Sequence, residues 1–386
     1  MNKILLLDID SVLIEPLGYR KAVLAVWEYI TNLMGMNPIP ISHEILADME
    51  AAGITSEWDM LPLLIASLWQ TILSKMESNE FITDSDIFRA AAAFKKVNPN
   101  LKVDGIMLPK FPLVPGQFPA ETAWRSGLFP RLPQKLGESL LLNTRDPYLS
   151  QTTQLFQQFV LGSQQYRLTY QLIPRVKSTS YLLSYDRPLL PESIKREMLE
   201  LNAQAQLGIG VITSRPSLPP CDANGESKGF APEAEIALDL LGMSQVPLIG
   251  FGKMKYVGDV YNLNPDKLIK PAASHSLAAI LRLFLDSETE AVAYAIRWSD
   301  ERVRAEIMAA IPSDFEVYIV EDTLSGIISV ENAVDLFVHS GKQVNLHCYG
   351  LTNGNQQKRR AFEEKQIPNF KDWETLWHAI RCDLSL

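Results

Sequence analysis

The chain has 386 residues, 47% hydrophobic and 21% charged, with 24 Pro and 20 Gly, the composition of a globular protein rather than a disordered or collagen-like one. That length suggests about two domains and excludes a single small binding module. A formal charge of −9, from 36 basic and 45 acidic side chains with no long run of one sign, argues against nucleic acid or an anionic membrane as partner.

The chain opens with the apolar run Ile4–Leu7, which stops at Asp8, the pattern of a strand buried on both faces of a parallel sheet. One Lys before a short apolar run that ends in acids is no signal peptide, and no later apolar stretch approaches the about 20 residues of a membrane span. Cys221, Cys348 and Cys382 are odd in number and lack the spacing of a zinc site or disulfide framework, so a reducing, cytoplasmic setting is expected.

From about residue 20 to 97 the periodicity is helical, as in Val23, Val26, Trp27 and Ile30, then Leu61, Leu64, Ile65 and Leu68. Residues 98–150 carry prolines at 99, 109, 112, 115, 119, 130, 133 and 147, which forbid long helices and central strands; interleaved Phe111, Phe118, Trp124 and Phe129 predict that this irregular segment packs on a domain surface. Trp58, Trp69 and Trp124 are read as core rather than as a ligand pocket. Helical spacing resumes through Leu155, Phe156, Phe159 and Val160, and again from Pro191 to Ala205.

After about residue 207 short apolar strands alternate with helices: Ile209–Ile212, Val246–Phe251, Val317–Val320, Leu336–Val338 and Val344–Cys348. This alternation predicts an α/β fold with a Rossmann-like parallel-sheet core, formed by the first strand plus residues 207–386 and interrupted by a large, mostly α-helical insertion.

Ligands of an open parallel sheet lie beyond the carboxyl ends of its strands. Asp8-Ile9-Asp10, Thr213-Ser214-Arg215 and Glu321-Asp322-Thr323 follow three of the expected strands, bringing acids and hydroxyls to one edge. Carboxylates gathered there repel one another unless a hard cation joins them, and oxygen-only ligation suits Mg²⁺. If Asp8 is a nucleophile, Asp10 can serve beside it as acid and base for the leaving and attacking oxygens.

Taken together, DIDSVL (8–13), VITSR (211–215), Lys270-Pro271 and VEDTLSGI (320–327) resemble, in order and placement, the four motifs of the haloacid dehalogenase-like hydrolase superfamily. The resemblance is to the first subfamily, with a helical cap inserted after the first motif, in the branch of phosphatases and β-phosphoglucomutase. It covers roughly 200 residues and implies a core of residues 1–17 and 206–386 with a cap of residues 18–205. FQQFVLG (156–162) and residues 187–216 look like the end of such a cap returning to the core.

The resemblance further implies that Asp8 attacks phosphorus to form an aspartyl-phosphate. Asp10 protonates the leaving alkoxide and then deprotonates water. Thr213 bonds a phosphoryl oxygen and Lys270 offsets the local negative charge. Mg²⁺ would be held by the Asp8 carboxylate, the Asp10 backbone carbonyl and Asp322, with Glu321 bonding directly or through water. Asp10 argues for phosphoryl chemistry rather than carbon–halogen cleavage.

Lys253, Lys255, Lys267 and Lys270 all precede the last motif; the family's usual Lys-Pro dipeptide favours Lys270, with Pro271 opening a helix near Ser274. Ser214 and Arg215 are the substrate-side candidates of the second motif, joined by Tyr19 and Arg20. Gly258-Asp259 is read as a loop, and His43, His275, His339, His347 and His378 as structural. The stretch between Lys270 and Glu321 is long for the family; a peripheral helix is its simplest reading, a homodimer contact or lid flank the alternatives. The expected activity is Mg²⁺-dependent hydrolysis of a small phosphorylated metabolite. A sugar phosphomutase and a catalytically idle binding scaffold are the competing readings.

Overall fold

A computed structural model describes residues 2–385 apart from 37, 38, 42, 84, 98–100, 102, 104, 107, 109 and 115, so Pro99, Pro109 and Pro115 lie outside the described residues. The chain divides into two compact units, residues 1–16 with 186–386, and residues 17–185.

The first unit is built on a sheet whose strands are β1 (Lys3–Leu7), β4 (Gly208–Ile212), β5 (Leu248–Ile249), β6 (Asp314–Glu321), β7 (Gln343–Leu351) and β8 (Asn369–Phe370). Their order is β5-β4-β1-β6-β7-β8, and every pairing is parallel. A separate antiparallel ribbon joins β2 (Ile14–Glu15) to β3 (Arg187–Pro188).

The unbroken apolar strands follow from burial on both faces. Ile4 and Leu6 of β1 join one core cluster with Val317 and Ile319 of β6, whereas Leu5 and Leu7 join the other with Tyr318 and Val320. Helices Ala273–Arg282, Glu288–Ile296, Glu301–Ala310 and Leu324–His339 contribute to the first cluster; Glu192–Ala203, Glu233–Leu241 and Trp373–Leu384 contribute to the second. The long stretch between Lys270 and Glu321 is therefore three helices that furnish core, as Leu277, Ile280, Val292 and Ile307 attest.

The structure corrects three expectations. The second unit ends at Tyr185 rather than at residue 205, because Ile194 and Met198 of helix Glu192–Ala203 are buried against the sheet core. Leu336–Val338 is not a strand: it ends helix Leu324–His339, where Val330, Val334 and Phe337 continue one buried helical stripe. Gly258-Asp259 lies inside helix Phe251–Val260, where a Cβ on Gly258 would come within 2.7 Å of Leu268, and Asp259 pairs with Lys255 one turn back.

The second unit is helical throughout its described elements, from Leu17–Leu33 to Tyr181–Tyr185. Helix Glu57–Ser74 is its most enclosed element, with Leu64, Ile65, Leu68 and Trp69 fully buried. Trp69 packs edge-on to Phe94, 6.0 Å between centroids, and so belongs to the core. Among its described residues, the Pro-rich stretch holds only the short helices Pro119–Arg125 and Gln134–Leu141. Among the described residues no helix is long and apolar enough to cross a membrane.

Candidate active site

The carboxyl ends of β4, β1 and β6, neighbours in the sheet, deliver Thr213, Asp8 and the pair Glu321-Asp322 to one edge. Asp8 still donates its N–H to Val320 O at 3.2 Å, so its backbone is fixed by the sheet. The chain then turns sharply: the N–H groups of Leu13 and Ile14 both donate to Ile9 O, and Ser11 adopts φ 61°. Trp373 Nε1 donates to Val12 O at 2.8 Å and Asn353 Nδ2 to Ser11 O at 2.6 Å, which pins the turn from two later elements.

Lys270 is the lysine that reaches the acids. Its Nζ donates to Asp8 Oδ1 at 2.7 Å, to Ile212 O at 2.9 Å and to Glu321 Oε1, three acceptors for three ammonium hydrogens. Lys253 instead pairs with buried Glu288, Lys255 with Asp259, and Lys267 is exposed. Glu321 is wholly buried and also accepts from its neighbours Asp322 N and Thr323 Oγ1, both at 3.2 Å. A Cβ on Gly326 would sit 1.8 Å from Glu321 Oε1, so this position must be glycine for the carboxylate to lie there.

Burial holds the carboxyls of Asp8 and Glu321 above the usual range, the neighbouring acids push them further up, and the Lys270 ammonium opposes both effects. The same two carboxylates raise the pKa of Lys270 and keep it protonated. Oxygens of Asp8, Glu321 and Asp322 lie within 4.8 Å of one another, a buried, oxygen-only set of the kind a hard divalent cation takes. The residues fit such an ion. The Asp10 carboxylate lies outside this set.

Asp10 and Arg215 form the second half of the site. Arg215 donates from Nε to both Asp10 oxygens, at 2.9 and 3.0 Å, and from Nη2 to Oδ1 at 2.6 Å. Nη2 also reaches Asp186 Oδ2 at 3.2 Å. The expectation of Arg215 as a substrate contact is therefore corrected: its side chain is 2% exposed and engaged by two carboxylates, so it orients Asp10. Thr213 is buried and its Oγ1 accepts from Arg215 N at 3.2 Å, while Ser214 is exposed. Tyr19 and Arg20 lie in the other unit, where Tyr19 stacks on Phe156 and Arg20 pairs with Glu50 at 2.8 Å.

Three contributors escaped the sequence. His275 is fully buried: its Nδ1 accepts from Lys270 N at 3.2 Å, which leaves Nε2–H to donate to Ile249 O at 3.2 Å. Burial, reinforced by the Lys270 ammonium, lowers its pKa to about 3. Because the unfolded imidazole titrates near 6.5, its contribution is complete above that value and fades as pH falls toward 3, by a few kcal/mol in all. Urea unfolding at pH 7 and pH 4 checks this: His275→Asn is expected to lose less stability between the two than wild type, and equal losses would contradict it.

Lys358 follows β7, the next strand end along, and forms an ion pair with Asp322. It stands in helix Gln356–Glu364, past the Thr352-Asn353 that directly follow β7, so the strand-end argument does not reach it. Asp186 gives no sequence signal, since its partner Arg215 lies 29 residues away.

No family model and no curated protein matches the chain. Among solved structures, an X-ray structure from the Northeast Structural Genomics Consortium is similar over 98% of both chains, with 16% identity and a TM-score of 0.66. That likeness shows a shared fold. Phosphatase Tt82 from Thermococcus thioreducens is also found, at 15% identity and a TM-score of 0.43, covering 93% of this chain and 99% of its own.

Proposed function

We propose that the protein is a Mg²⁺-dependent phosphomonoesterase that hydrolyses a small phosphorylated metabolite through an aspartyl-phosphate on Asp8. The observation that carries this reading is the single ammonium of Lys270 bonded to both Asp8 and Glu321, with Asp10 held beside them by Arg215. A buried carboxylate neutralised in this way can approach a phosphate dianion that it would otherwise repel.

In the first half-reaction an Asp8 oxygen forms a bond to phosphorus and the bond to the ester oxygen breaks, while Asp10 gives that oxygen its proton. In the second, water gives a proton to Asp10 and attacks phosphorus; the bond to Asp8 breaks and inorganic phosphate leaves. Lys270 holds the direction of Asp8 and offsets charge in both steps. Arg215 fixes the Asp10 carboxyl, and Thr213 is the hydroxyl assigned to a phosphoryl oxygen. Asp8, Glu321, Asp322 and the Asp10 carbonyl would hold Mg²⁺, whose chemistry is to screen the repulsion between phosphate and carboxylates. The family resemblance assigns ester selection to the inserted helical unit.

The direct test is phosphate release from an aryl phosphate and a panel of sugar and small-metabolite phosphates, with Mg²⁺ or with chelator. Release that needs the metal is expected. Little net release from any ester, joined to a requirement for a bisphosphate activator, would replace hydrolysis by phosphoryl transfer to the substrate. No turnover of either kind by folded protein would leave only a binding role.

A further inference from the structure

We infer that Lys358 is an internal counter-ion of Asp322, displaced when a divalent cation enters the site. The inference rests on the placement of the cation in the preceding section. With every group ionised, five carboxylates (Asp8, Asp10, Asp186, Glu321, Asp322) are linked by ion pairs to three cations (Lys270, Arg215, Lys358). The cluster is short of positive charge, which draws a cation to it.

The three cations are not equally free to yield. The Lys270 side chain is 7% exposed with three acceptors on its ammonium, and the Arg215 side chain is 2% exposed between two carboxylates. Moving either one would strand buried carboxylates. The Lys358 side chain is 28% exposed, and Asp322 is its ammonium's ion-pair partner among the described residues. It stands in the first turns of helix Gln356–Glu364, whose Asn355 side chain accepts from Lys358 N at 3.1 Å; its backbone is anchored while its side chain can move.

There is room for it to move. A pocket of about 320 Å³ beside Asp322 is lined by Thr323, Leu324, Gln357, Lys358 and Phe362. A cation bonded to Asp322 repels an ammonium on the same carboxylate, and a lysine that swings out regains hydration and rotamer freedom. Without a cation, the same ammonium limits repulsion between Asp322 and its two acidic neighbours. Lys358 thus stabilises the metal-free protein and competes with the ion for Asp322.

The test is calorimetric titration of Mg²⁺ into the full-length protein, comparing wild type, Lys358→Met and Lys358→Arg, each first checked by thermal melting. Competition predicts binding roughly two- to fivefold tighter in Lys358→Met, the range expected on removing a part-exposed pair. Lys358→Arg, which keeps a cation on Asp322, should show no such gain. Unchanged or weaker binding in Lys358→Met overturns the inference. Asp322→Asn separates the two readings. If binding needs Asp322 but ignores Lys358, only the counter-ion role fails; if binding ignores Asp322, or no variant binds, the metal placement fails with it.

Discussion

Asp8→Asn should lower phosphate release by at least about 10³-fold, the scale on which removal of a nucleophile acts. The amide is nearly isosteric and can still accept from Lys270, so folding should persist. The local charge supports this: Asp8 is one of three buried carboxylates facing Lys270 and Lys358, and neutralising it removes its repulsion with Glu321 and Asp322. Unchanged circular dichroism and a melting temperature at or above wild type should accompany the loss of turnover. Activity within tenfold of wild type would take Asp8 out of the mechanism.

Lys270→Met should have the largest effect on stability, a loss of about 3–5 kcal/mol by urea unfolding at neutral pH, because it leaves Asp8 and Glu321 buried without their shared cation. Both carboxyls already titrate above the usual range through burial, and loss of the ammonium that opposes this moves them higher. A carboxyl whose folded pKa exceeds its unfolded value makes the folded state take up protons, so stability falls as pH rises through the folded value. The deficit of Lys270→Met relative to wild type should therefore shrink as pH is lowered from 7 toward the ordinary carboxylate range. His275 acts in the same direction: without the Lys270 ammonium its pKa is lowered less, so the variant also loses less than wild type from this group as pH falls. A loss under about 1 kcal/mol at pH 7, or a deficit that does not change with pH, would mean that the ammonium is not what makes these carboxylates tolerable there.

β1, β4 and β6 were legible because strands covered on both faces are written as unbroken apolar runs, and Asp8, Thr213 and Glu321 because each run stops at a polar residue. Lys270 was legible as the lysine of a Lys-Pro pair, though four lysines competed for the place. The end of the inserted unit was not, since an amphipathic helix such as Glu192–Ala203 looks the same whether it packs on a sheet or on other helices. Leu336–Val338 misled for a related reason: a short apolar run does not declare its period when its neighbours carry the stripe.

The sequence by itself determined the parallel sheet, the helical insertion and the acids at the strand ends, because these are local patterns of apolar period and interruption. Only the tertiary structure decided how the charges pair. Arg215 looked outward in the sequence and is turned onto Asp10 and Asp186; His275 looked structural and holds the backbone of Lys270; Lys358, 36 residues beyond Asp322, neutralises it. A buried charge must find an opposite charge or a hydrogen bond nearby in space, and nearness in space between strand ends is set by the order of the sheet rather than by the order of the chain.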